Sequence, residues 1–181
     1  QFGTGDFTVE SWVYPTAALN TNTGALFSVG RYDNGILLRM VGGSSDELYI
    51  NGSYWSVPFS SYMSVNQWAH VALTRSGTAV KVFINGAVAQ SITSSANISQ
   101  STDTYFGAAT HALYQTLTGY MSNIRIIKGT ALYTSAFTPP TSPLTAVSGT
   151  SVLTAQSNRF KDNSTNAFTI NVGAGSPSVQ T

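Results

Sequence analysis

Along most of the chain the apolar positions recur every second residue rather than every third or fourth. In "WAHVALTRSGTAVKVFINGAV", residues 68–88, Ala69, Val71 and Leu73 fall on one side, and Trp68, His70, Ala72 and Thr74 on the other. That alternation belongs to a strand with two distinct faces. "SGT" at 76–78 reads as a turn, Val80, Val82 and Ile84 resume the period, and Asn85-Gly86 supplies the positive φ angles of a tight hairpin. The segment is a meander of strands. His70 sits mid-strand with no Ser, Cys or carboxylate close by in sequence, so it reads as scaffold and not as half of a catalytic pair.

The same pattern runs through the rest. "DFTVESWVYP" alternates Phe7, Val9 and Val13 against Glu10, Trp12 and Tyr14, and Pro15 ends it. "GALFSVG" and "NGILLRMV" flank "RYDNG", where Asn34-Gly35 reads as a second hairpin turn. "DELYING", "YWSVPF", "DTYFGA", "GYMSNIRIIKG", "VLTAQ" and "AFTINVG" follow as strand candidates, while "GTALYTSAF" has room for one short helical turn. Short strands split by Gly, Asn and Ser predict an all-β antiparallel sandwich or barrel.

Composition narrows the function. With 181 residues the chain fits one domain and can bury a core. Eight Lys and Arg oppose seven Asp and Glu, and only 8% of residues are charged. Such a stock cannot build a basic nucleic-acid surface. No apolar run reaches the length of a bilayer span. The absence of cysteine removes disulfides, thiolate catalysis and Cys-based zinc sites. An opening without Met suggests a piece of something longer.

Three blocks carry a resemblance. "DFTVESWVYP", "NQWAHVALTRSGTAVKVFINGAV" and "GYMSNIRIIKGTALYTSAFTPPTSPLT" are similar to the concanavalin A-like, laminin-G/pentraxin-type jelly roll, over about residues 6–144. The last block most resembles repeats of bacteriophage tail and structural proteins and of bacterial surface proteins. The resemblance implies a two-sheet antiparallel jelly-roll sandwich. It also implies an extracellular or virion-surface setting, and makes Trp12 and Trp68 scaffold residues expected in the core. Residues 1–150 form the sandwich on this reading. Residues 151–181 are expected to complete it with the strand-like runs "SVLTAQ" and "AFTINV", or to lead into a following repeat.

Glucanases of this fold place two carboxylates on one strand so that both enter the cleft. No such cluster exists here: Asp46 and Glu47 would face opposite ways, and Glu10 lacks a partner at i+2 or i+4. The expectation is no enzyme. No cofactor is required, although calcium stays open; Asp33, Asp46 and Asp103 are weak candidates, because hard cations want clustered oxygens and Asp side chains also shape turns. Aromatic rings remain, at 12% of the chain. Trp55 beside Tyr54, Tyr32 in "RYDNG" and Tyr114 in "THALYQT" are the candidate saccharide-stacking rings. The expected function is a non-catalytic module binding a surface carbohydrate in a phage tail, adhesion or bacterial surface protein. The alternative is an assembly module that contacts neighbouring subunits, with oligomers open in either case.

Overall fold

The computed structural model describes residues 1–19, 24–42, 46–99, 103–109, 116–173 and 177–179. Within them the strands are β1 (Phe7–Pro15), β2 (Gly24–Val29), β3 (Ile36–Met40), β4 (Glu47–Ile50), β5 (Ser53–Ser56), β6 (Ala69–Ser76), β7 (Ala79–Ile84), β8 (Ala87–Thr93), β9 (Thr104–Phe106), β10 (Gly119–Lys128) and β11 (Thr150–Thr154). They form two antiparallel sheets, ordered β11-β10-β1-β6-β7-β8 and β5-β4-β3-β2-β9. The fold is the all-β concanavalin A-like jelly-roll sandwich.

The period of two decides what lies between the sheets. Phe7, Val9 and Val13 of β1, Val71 and Leu73 of β6 and Val80, Val82 and Ile84 of β7 meet Phe27, Val29, Ile36, Leu38, Met40, Leu48 and Ile50 of the other sheet. Each such side chain contributes roughly 1.5–3 kcal/mol by leaving water. The turns follow their residues. Asn85 and Gly86 (φ 51° and 81°) close β7 onto β8, and Asn51 and Gly52 (φ 46° and 80°) close β4 onto β5. Asn34-Gly35 differs from expectation. β2 and β3 pair, but across a longer loop with a turn at 31–34, and Gly35 is required by close approach, since a Cβ there would lie 1.9 Å from the Val29 carbonyl oxygen.

Part of the outward face of the six-stranded sheet is covered by a strap, residues 130–147. "GTALYTSAF" lies in it and forms no helical turn. Thr8 Oγ1 donates to the Thr130 carbonyl at 3.0 Å and accepts from Leu132 N–H at 2.9 Å. Thr74 Oγ1 donates to the Tyr133 carbonyl at 2.9 Å, and Asn123 Oδ1 accepts from Leu144 N–H at 2.8 Å. At Gly86 the strap comes so near that a Cβ would sit 1.9 Å from the Phe137 carbonyl oxygen, which only glycine avoids.

β11 pairs with β10, and the chain then folds back along the exposed edge of β11. Asp162 accepts from the N–H groups of Leu153, Ser164 and Phe168 and from Ser164 Oγ, and Asn163 N–H donates to the Leu153 carbonyl. The two bonds at Leu153 occupy an N–H and a carbonyl that an edge strand would otherwise offer to a foreign strand, and the bonds from Ser164 and Phe168 fix the returning chain. "AFTINV" joins no strand.

Candidate functional site

The tight β4–β5 turn places Tyr49 directly across from Tyr54, and Leu48 across from Trp55. Because faces alternate, Leu48 and Trp55 turn toward the core while Tyr49 and Tyr54 turn outward. The β2–β3 loop brings a third ring to the row. Gly52 N–H donates to the Tyr32 carbonyl at 2.8 Å and Asn51 N–H to the Gly35 carbonyl at 2.9 Å, tying that loop to the turn. Ring centroids are 5.4 Å apart between Tyr32 and Tyr49, and again 5.4 Å between Tyr49 and Tyr54.

Charged groups border the rings. Arg39 pairs with Glu47 in the adjacent cross-strand row, and its guanidinium lies 5.9 Å from the Tyr49 centroid. Arg31 lies 5.9 Å from the Tyr32 centroid and 3.4 Å from Asp33. Burial, then the neighbouring Glu47 carboxylate, raises the Tyr49 phenol above its ordinary value, so at neutral pH it keeps its proton and remains a donor. The surface thus offers flat apolar rings beside donors and acceptors, the mixture that orients a polar ligand with an apolar face.

Of the rings expected from sequence, Tyr32 and Tyr54 come together, through Tyr49. Trp55 is half-buried against the core, and Tyr114 lies outside the described residues. Tyr49 was missed, although its alternation with Leu48 and Ile50 and its register across Asn51-Gly52 were both readable. The calcium candidates stand apart. Asp46 is buried and its Oδ1 accepts from Val41 N–H and Gly42 N–H at 2.9 and 3.0 Å, closing the β3–β4 turn. Burial holds its carboxyl above the ordinary value in spite of those bonds. Asp33 faces Arg31 in the β2–β3 loop, and Asp103 is exposed before β9. Among the described residues no three His, Asp or Glu side chains are grouped to hold a metal ion.

A second polar cluster lies beneath the strap. Glu10, which has no second carboxylate at i+2 or i+4, accepts from Arg125 Nε and Nη2 at 2.8 and 2.6 Å on Oε1. Its Oε2 accepts from Tyr133 Oη at 2.9 Å and faces His70 Nε2 at 3.0 Å. Burial would raise the Glu10 carboxyl, but hydrogen bonding from His70 and the charge of Arg125 outweigh it and hold the value below the ordinary range. Burial and the Glu10 charge push the Tyr133 phenol well up. Glu10 and His70 share the outward phase of their strands with Trp12 and Trp68, which the sequence pattern shows; that Arg125 meets them under one cover does not follow until the strand order is known. Glycosidic cleavage by two carboxylates needs a second one across from the first, and the side-chain partners of Glu10 are an arginine, a histidine and a tyrosine. The cluster is also closed over: Tyr133 and Phe137 stack at 3.6 Å above it. Its geometry is that of a clamp between sheet and strap.

Trp68 departs from expectation. It is 47% exposed rather than buried, with its ring centroid 5.5 Å from that of Tyr14. Trp12 is half-buried at the border of the strap, edge-on to His70 at 5.5 Å.

The model of the concanavalin A-like lectin/glucanases superfamily matches residues 1–134. No curated protein matches the chain in sequence. Solved structures are similar in fold. A Bacteroides ovatus ATCC 8483 protein to which carbohydrate binding is ascribed has a TM-score of 0.66 at 16% identity, over 91% of this chain and 50% of its own. Domain 4 of a GH43 extracellular arabinanase from Geobacillus stearothermophilus, in complex with arabinotriose, gives 0.54 at 21%, over 71% and 63%. Domains LG4-5 of the mouse laminin alpha1 chain give 0.54 at 12%, over 77% and 44%. The chain therefore spans about half of the first and third of these and under two thirds of the second.

Proposed function

Since the chain belongs to the concanavalin A-like lectin/glucanases superfamily, we propose that it is a non-catalytic module that binds carbohydrate through the Tyr32–Tyr49–Tyr54 row. The observation that carries this reading is the geometry of the row: three rings at 5.4 Å steps, Tyr49 and Tyr54 on the outward face of β4–β5 and Tyr32 on the adjoining loop, with Tyr54 46% exposed. A pyranose or furanose ring presents C–H groups on its faces and hydroxyls at its rim. The tyrosine faces meet the former, and Arg39, Glu47, Arg31 and Asp33 bond the latter. A guanidinium carries five donors, more than its carboxylate partner takes. The arabinanase domain holding arabinotriose supports the reading only so far as the fold is concerned.

No cofactor is called for. Asp46 is committed to its turn, and Asp33 and Asp46 lie at opposite ends of the β3–β4 pair, about 13 Å of strand apart. Calcium remains a testable addition through Asp33 or Asp103. The module belongs at a cell or virion surface, as part of a phage tail, adhesion or bacterial surface protein. Assembly between subunits is the second reading, and one observation favours it: Phe160, Phe168 and Val172 after β11 are exposed apolar residues. The deciding experiment is binding of wild type and Tyr49→Ala/Tyr54→Ala to a polysaccharide panel, with and without EDTA.

A further inference from the structure

The strap leaves one part of the six-stranded sheet open, and that part is aromatic. Tyr14 pairs in register with Tyr120 of β10, and on its other side it lies opposite Trp68, just ahead of β6. The centroid steps are 5.5 Å from Trp68 to Tyr14 and 5.8 Å from Tyr14 to Tyr120. Trp68 is 47% and Tyr120 43% exposed. A β-bulge lies between Glu10/Arg125 and Trp12/Ser122, with Asn123 at φ 53°. The extra residue keeps Arg125 facing outward under the strap and Tyr120 and Ser122 facing outward beyond it. Asn123 also anchors the strap through Leu144, so the cover ends where the open row begins. A bulge that re-aims side chains in this way is a common device beside functional surfaces.

We propose that Trp68, Tyr14 and Tyr120 form a second saccharide platform, on the face of the sandwich opposite the tyrosine row. The proposal shares with the reading above only its class of ligand. Three features favour a saccharide over a protein. The rings are held in a row by strand register, tilted 59° and 56° to one another, at steps comparable with one sugar unit. Their chain neighbours Thr16, Gln67 and Thr118 are exposed, uncharged and able to bond hydroxyls. The exposed parts of Trp68 and Tyr120 amount to about 200 Å², far below the roughly 1,000 Å² of a stable protein interface. With platforms on both outer faces, one domain bridges two polysaccharide chains.

The test is co-sedimentation with insoluble arabinan, xylan, cellulose, chitin and peptidoglycan, using wild type, Trp68→Ala, Tyr120→Ala, Tyr49→Ala/Tyr54→Ala and the combined variant. Circular dichroism checks folding, and light scattering reports self-association. Loss of either platform is expected to weaken binding to the same polysaccharide about tenfold, the scale of one aromatic anchor. The combined variant should not bind, and only wild type should precipitate a soluble form of the polymer. If Trp68→Ala and Tyr120→Ala bind as wild type while the double tyrosine variant fails, the second platform is wrong and the tyrosine row stands. If only the Trp68 and Tyr120 variants fail, the platform stands and the tyrosine row falls. Failure of wild type to bind any of the polymers, or a change only in self-association, overturns the platform.

Discussion

Tyr54 stands across the β4–β5 hairpin from Tyr49 with ring centroids 5.4 Å apart, while their chain neighbours Trp55 and Leu48 pair on the opposite side of the same two strands. One two-residue turn therefore decides which aromatic joins the core and which faces solvent. A register slip of one residue would exchange them. The Asn51-Gly52 turn is what fixes the tyrosine row in place.

Glu10 should be the most costly polar residue to remove. Glu10→Ala leaves the Arg125 guanidinium and His70 under the strap with no carboxylate between them, and breaking a buried pair in this way costs about 3–5 kcal/mol. Denaturant unfolding measures it. A loss below about 1 kcal/mol would mean that the strap is not clamped by this cluster.

Acid should weaken the fold, with a sign set by the same residue. The Glu10 carboxyl is held below its ordinary value of 4.5. Its stabilisation is thus full above that value and is lost as pH falls through the lower folded one. His70, Arg125 and Tyr133 are the groups that face it. Asp162, lowered by its backbone and Ser164 bonds against the effect of burial, acts in the same direction; Asp46, raised by burial, acts in the other. Below about pH 5 the stability gap between wild type and Glu10→Gln should shrink as pH falls. A gap that widens on acidification in that range would contradict the assignment.

Trp68→Ala should barely affect folding despite the size of the side chain. The ring is nearly half exposed and rests on Tyr14 alone among the described aromatic contacts, so a loss of about 1 kcal/mol is expected. Phe83→Ala, buried under the strap, should cost about 3–5 kcal/mol. Equal denaturant midpoints for the two variants would show that Trp68 is buried after all.

Asp162 ties the returning chain to β11 through the Leu153 N–H and shapes that chain through three further hydrogen bonds from Ser164 and Phe168. Asp162→Ala should destabilise by about 1–3 kcal/mol and expose the β11 edge. Thermal melting with light scattering should show a lower midpoint and earlier aggregation. An unchanged melt would mean that the edge is not protected by this return.

Most strands and the Asn85-Gly86 hairpin were legible because alternation and Asn-Gly turns are local signals, whereas the pattern left sandwich and barrel open and the resemblance of three blocks implied the sandwich. The site was legible in part. Tyr32 and Tyr54 stood out as loop and turn aromatics, but Tyr49 looked like ordinary strand filling until the cross-strand register paired it with Tyr54. Trp68 shows the limit of a periodic pattern. It shares a face with His70, Ala72 and Thr74, and that face is buried at His70 and exposed at Trp68. The difference is made by the strap, whose path depends on contacts such as Gly86 with Phe137, far apart in sequence. Glu10 with Arg125 is the same case, since its partner lies 115 residues away.

The central claim, that the Tyr32–Tyr49–Tyr54 row holds a saccharide, is tested most directly by an oligosaccharide titration of the wild type followed by calorimetry. The ligand is a soluble fragment of whichever polysaccharide the wild type retains, and the variant is Tyr49→Ala/Tyr54→Ala in a Trp68→Ala background. Trp68→Ala alone should still bind the fragment, and adding the two tyrosine substitutions should weaken binding by at least tenfold with the fold intact by circular dichroism. Unchanged affinity on removal of both tyrosines would contradict the claim.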